Sequence, residues 1–74
     1  MSKDYQKTKG SFYIYDPAIE DYYKCREHGV NQYTTHLWDA QVYKTLQGAI
    51  KAAETLGDGF VVVDKDGKTV WQAD

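Results

Sequence analysis

The run from Thr45 to Trp71 constrains this chain most, because a capped apolar helix pattern there leads straight into a glycine-turned hairpin pattern. Leu46, Ala49, Ile50, Ala53 and Leu56 recur at three- and four-residue spacing and form one apolar stripe, while Gln47, Lys51, Glu54 and Thr55 fall on the water side. Thr45 suits the N-cap position, and Gly57 supplies a stop. The capping box is incomplete, since Gly48 stands where a Glu or Gln would close it. A glycine inside a helix costs ~1 kcal/mol relative to alanine. The expected compensation at Gly48 is close approach of the helix backbone to a strand or a ring.

The hairpin that follows admits two registers. A two-residue loop of Asp66-Gly67 pairs Val63 with Val70 and Val62 with Trp71. A three-residue loop with Gly67 at a bulge pairs Val62 with Val70 and Val61 with Trp71. A slip of one residue exchanges the faces of the strand. The bulged form is preferred, because it gathers Phe60, Val62 and Val70 on the helix side and sends Val61 and Trp71 to the other side, beside Tyr13 and Tyr15.

Upstream, Ser11–Asp16 is rich in aromatic and β-branched residues and reads as a strand, with Phe12 and Ile14 on the core side and Tyr13 and Tyr15 opposite. Asp16-Pro17 then reads as a capped helix start, with Ile19, Tyr22, Tyr23 and Arg26 on one face and His28-Gly29 as the stop. Tyr22–Arg26 suits an extended strand as an alternative. Val30–Ala40 reads as mostly irregular and anchored by Leu37 or Trp38; a helical turn capped by Thr35 and a strand over 33–38 are its other readings. Gln41–Lys44 is a short strand entering the helix. The polar residues 1–10, with Lys3, Lys7 and Lys9, read as a flexible arm closed by Gly10, leaving 11–74 as one domain. The expected fold is α+β: a small antiparallel sheet of three to four strands, a main helix over 46–56 on one face, and a possible second short helix over 17–28.

At 74 residues the chain sits near the lower limit for a self-sufficient core, which supplies only ~3–5 kcal/mol at this size. Cys25 is its only cysteine, so no disulfide can form within it. Good packing or self-association must serve instead. Seven tyrosines, two tryptophans and two phenylalanines are more rings than so small a core can enclose. The surplus comprises Tyr13, Tyr15, Tyr22, Tyr23, Tyr33 and Trp71, and Tyr and Trp are the side chains that carry interface energy. These six are the expected partner-binding residues. The bland alternative is that half-buried tyrosines merely cover the sheet.

Several function classes are excluded or disfavoured. With a net charge of −2 and one arginine, Arg26, the chain has no basic cluster to engage nucleic-acid phosphates. No apolar run reaches the ~20 residues of a membrane span, and the N-terminus lacks the apolar segment of a secretory signal. One unpaired cysteine without such a signal points to a reducing cytoplasm. Asp64-Lys-Asp66-Gly67 resembles half of a calcium loop, but aligning Gly67 with the loop glycine puts Val62 and Ala73 at positions that need oxygen donors. Cys25, His28 and His36 offer three metal ligands where structural zinc wants four. As a nucleophile and base they lack an orienting group and an oxyanion hole. The carboxylates Asp16, Glu20 and Asp21 suit a helix start. The expectation is therefore no enzyme, no cofactor and no metal.

The segment from Val42 to Ala53 (Val-Tyr-Lys-Thr-Leu-Gln-Gly-Ala-Ile-Lys-Ala-Ala), followed by Val61–Gly67, resembles small phage and prophage proteins in which a Tyr-Lys-Thr strand end enters an Ala-rich helix and then a hairpin. The resemblance covers less than half the chain and involves structural residues only. It implies a host-takeover or anti-defence role, of the anti-CRISPR kind, in which a host protein's surface is occluded in the host cytoplasm. The expected function is thus a non-enzymatic inhibitor acting by protein–protein interaction. The alternatives are a self-associating, homodimeric structural or regulatory domain and a small-ligand or nucleotide sponge.

Overall fold

The computed structural model describes residues 9–73, and within them β1 (Lys9–Asp16) is the strand on which the sheet is built. Along one edge, β1 pairs with β5 (Val61–Asp64) through Phe12 to Tyr15. Its other edge is shared. The start of β1 bonds to β4 (Tyr43–Thr45), and its end bonds to β2 (Asp21–Glu27) through Tyr15 and Asp16. β3 (Val30–Thr34) extends the sheet beyond β2, and β6 (Thr69–Gln72) extends it beyond β5. Every pairing is antiparallel, and the strand order is β3-β2-β1-β5-β6 with β4 beside β1.

The helix α1 (Leu46–Leu56) lies against β1, β4 and β5. Ala49, Ile50 and Ala53 meet Phe12, Ile14 and Val62 in the core, where Ile14 and Val62 are fully buried. Leu46 and Leu56 pack at its margin. The helix stripe, its Thr45 cap and its Gly57 stop match the sequence pattern: the Thr45 hydroxyl accepts from Gly48 N at 3.1 Å, and Gly57 N donates to Ala53 O. Gly48 has a different reason from the expected one. A Cβ there would meet only the Thr45 hydroxyl oxygen, at 3.0 Å, so the missing side chain clears the cap and not a strand or a ring. Gln47 is half-buried, unlike Lys51, Glu54 and Thr55, which face water.

The sheet has six strands where three or four were expected, and the difference lies mostly in residues 21–34. No second helix forms over 17–28. Asp16 does cap a turn, accepting from Ala18 N at 3.0 Å through its carboxylate and from Glu20 N at 2.8 Å through its carbonyl. That turn ends after one cycle at Glu20, whose φ of 57° is left-handed. Asp21–Glu27 then runs extended. The competing strand reading prevails because its tyrosines find cross-strand partners, whereas Ile19 of the helical stripe is half exposed. His28-Gly29 is a stop for a different element. With φ of 51° and 76° between the paired residues Glu27 and Val30, it forms a two-residue hairpin loop of the type that needs both residues left-handed.

Residues 30–34, expected to be irregular, complete that hairpin as β3. The chain then makes a 3-10 turn over Leu37–Asp39, entered from His36 and not capped by Thr35. Leu37 is half-buried and Trp38 is exposed, so Leu37 is the anchor of the two. Lys9 and Gly10 of the expected arm open β1, and the rest of that arm lies outside the described residues.

The β5–β6 hairpin combines both anticipated registers. Asp64 N donates to Lys68 O and Gly67, at φ 80°, closes the three-residue loop, so Val63 faces Thr69. The register then shifts at Val70, and Val62 faces Trp71 while Val61 faces Gln72. The preferred loop is present, but the pairing expected beyond it is overturned by a second bulge. Trp71 consequently packs on the helix-side core and does not join Tyr13 and Tyr15.

Candidate interaction surface

Strand alternation divides the six surplus aromatics into two groups of three. Tyr13 faces Val63, and Tyr15 faces both Val61 and Tyr22, which places these three tyrosines on the side away from the helix. Tyr23 faces Tyr33, and Trp71 faces Val62, on the helix side. Consecutive residues of a strand point to opposite faces, so Tyr22 and Tyr23 have to part. All six are half-buried.

The helix-side group has a structural task. The Tyr23 and Tyr33 rings meet edge to face at 6.0 Å, Tyr33 stacks on Phe60 at 6.5 Å, and Phe60, Tyr23 and Trp71 pack against the core. These rings fasten the β2–β3 hairpin and the last hairpin to the body of the sheet.

The far-side group is different in kind. Tyr15 and Tyr22 have ring centroids 5.0 Å apart and tilted by 54°, a favourable aromatic pair. Asp16 and Asp21 are cross-strand neighbours immediately beside them, with Glu20 in the connecting turn. The Tyr15 hydroxyl is pushed above the ordinary tyrosine range by desolvation first, and then by Glu20, Tyr22, Asp21 and Asp16. Three carboxylates thus add negative charge near the pair, with Glu20 ahead of Asp21 and Asp16, which strand alternation turns to the other face from Tyr15 and Tyr22. Next to it, Val63 is only 3% exposed although it lies outside the helix-side cluster, which gives this face an apolar floor.

Trp38, expected from the sequence only as a possible anchor of its segment, is a surface aromatic outside the six expected ones. It is 81% exposed and stacks on His36 at 5.2 Å. The loop that presents it is tied down at several points. His36 N donates to the Thr34 hydroxyl at 3.1 Å, Gln41 N donates to Tyr23 O at 3.0 Å, and Lys24 pairs with Asp39 at 3.3 Å. The available signal was a ring beside Leu37 in a stretch without a clear apolar period, where only one of the two could be the anchor.

The residues weighed for chemistry are dispersed. Cys25 sits in mid-strand opposite Gln32, His28 is at a hairpin tip, and His36 is occupied with Trp38. Among the described residues no three His, Cys, Asp or Glu side chains come together as a metal site. Asp64 uses its carboxylate within its own turn, accepting from Asp66 N and Lys68 N at 2.9 Å each. No helix among the described residues is long and apolar enough to cross a membrane. In comparisons with family models, curated proteins and solved structures, the chain matches none of them.

Proposed function

We propose that the protein is a non-enzymatic binding module that covers a basic patch on the surface of a host protein. The observation that carries this reading is the Tyr15–Tyr22 pair set among Asp16, Glu20 and Asp21. Paired rings supply contact area at small entropic cost, and surrounding carboxylates select lysine- and arginine-bearing partners, whose cations also stack on tyrosine faces. Tyr13, on the same face, extends the contact. The resemblance of Val42–Ala53 and Val61–Gly67 to small phage and prophage proteins supports a host factor as the target and anti-defence as the role.

The test is affinity capture from host lysate with the full chain and two variants, Tyr22→Ala and Asp21→Lys. The wild type should retain a stoichiometric partner that both variants lose, and the interaction should weaken with added salt. If no partner is retained, or if Asp21→Lys retains it undiminished, the reading is wrong.

A further inference from the structure

On the helix side of the sheet, a groove of about 300 Å³ runs between α1 and the β2–β3 hairpin. One wall is Ala52 and Leu56 of the helix; the other carries Tyr23, Arg26 and Asn31, with Tyr43 at the base. A bulge makes this wall. The register shifts between Tyr23 and Cys25, leaving Lys24 as the extra residue. Tyr23 and Arg26 are three positions apart and would otherwise face opposite ways; the bulge turns both to the helix side, where Arg26 is cross-strand from Asn31.

Among the described residues, the Asn31 side-chain oxygen and the exposed Arg26 guanidinium of this wall have no partner. Asn31 Oδ1 is buried and accepts no hydrogen bond, a state that costs ~1–3 kcal/mol unless a donor arrives. Arg26, the only arginine of the chain, pairs with no carboxylate among the described residues, where Lys24 is the cation that pairs with Asp39. The Thr55 hydroxyl is already committed to Lys51 O at 2.9 Å. The Tyr43 hydroxyl at the base, protonated at neutral pH like any tyrosine, can donate.

We propose that this groove binds an α-amido carboxylate bearing an apolar side chain, the unit shared by a free N-acylated amino acid and the last residue of a polypeptide. The guanidinium fork takes a carboxylate through two parallel hydrogen bonds. One arginine matches one negative charge, whereas a nucleotide would bring several to a chain whose net charge is −2. In such a ligand the amide N–H lies beside the carboxylate, as Asn31 lies beside Arg26. Its side chain then rests on Ala52 and Leu56, under the Tyr23 ring. The volume is at the small end of ligand pockets, in keeping with a single capped residue. The Tyr15–Tyr22 surface lies on the opposite side of the sheet, so this site stands or falls independently of it.

The test is an amide NMR titration of the isotopically labelled full chain with N-acetyl-leucine, N-acetyl-leucinamide and an acetylated tetrapeptide ending in leucine with a free carboxylate. N-acetyl-leucine should give saturable shifts centred on Arg26, Asn31, Ala52 and Leu56. The uncharged amide should bind about tenfold more weakly or not at all, and Arg26→Gln should weaken N-acetyl-leucine by a similar factor while leaving a folded spectrum. A tetrapeptide about tenfold tighter than the free compound assigns the site to polypeptide ends; equal affinity assigns it to the free acylated amino acid. No saturable shift at any soluble concentration, equal binding of the amide, or an unchanged affinity in Arg26→Gln would overturn the proposal.

Discussion

Trp71 stands opposite Val62, and not Val61, because Val70 is a spare residue in β6. The bulge turns a large ring onto the helix-side core and leaves Val70 exposed. The two tryptophans are thereby given opposite roles. Trp71→Ala is expected to cost about 2 kcal/mol, below the range for a fully buried ring because Trp71 is half-buried. Trp38→Ala, at a site 81% exposed, is expected to stay within about 0.5 kcal/mol of wild type. Urea midpoints compare the two directly, and acrylamide should quench Trp38 more strongly than Trp71 in single-tryptophan variants. Equal losses would contradict the register.

His28 is expected to be a suboptimal residue where it stands. Its φ of 51° beside Gly29 at 76° describes a loop type in which Asn-Gly is strongly favoured. His28→Asn should stabilise the fold by about 0.5 kcal/mol, seen as a higher urea midpoint with an unchanged slope. A lower midpoint would mean that the histidine ring has a task in the native state.

The Thr45 cap and Gly48 form a coupled pair. Thr45→Ala removes the acceptor for Gly48 N and should cost about 1 kcal/mol. Gly48→Ala alone should return less than the ~1 kcal/mol of a free helical site, because the new Cβ crowds the cap oxygen. In the double variant the crowding is gone, and the full propensity gain should reappear. A double-mutant cycle that closes to zero would show that the two residues do not interact.

Alkaline pH should unfold the protein partly through Tyr43. Its folded-state pKa is raised above the ordinary 10.0, by burial and then by Tyr23, so the protonated form is the one the fold favours. The stability this contributes is complete below pH 10 and is lost as the pH rises through the folded-state value. Tyr43→Phe should therefore flatten the alkaline decline of the urea midpoint and leave the neutral region flat. A decline as steep as the wild type's would remove Tyr43 from the account.

Local rules made several elements readable: the Thr45–Gly57 helix, the first strand, and the glycine turn at 64–68. Each rests on chemistry within a few residues. The segment 17–34 was harder for a physical reason. Asp16-Pro17 and His28-Gly29 are turn signals that serve a helix boundary and a hairpin boundary equally, and Tyr22-Tyr23 suits either state. What separates the two is the partner strand, and β3 was itself hidden in a polar stretch, Val30–Thr34. Among the candidate site residues, the excess of rings was visible from the sequence, but not its division. Tyr22 and Tyr23 are adjacent in sequence, yet one stands in the acidic far-side pair and the other packs beneath Tyr33.

By itself the sequence determined the α1 stripe with its cap and stop, the two sides of β1, and the glycine turn at 64–68, because those features depend on neighbours along the chain. Tertiary structure decided the strand pairing over 21–34 and, through two bulges, which faces the rings take. The one at Val70 sends Trp71 into the core, and the one at Lys24 brings Tyr23, Arg26 and Asn31 to one wall. A bulge is set by how two strands divide their hydrogen bonds and bury their rings together. No single strand holds that information, and the faces of this protein depend on it.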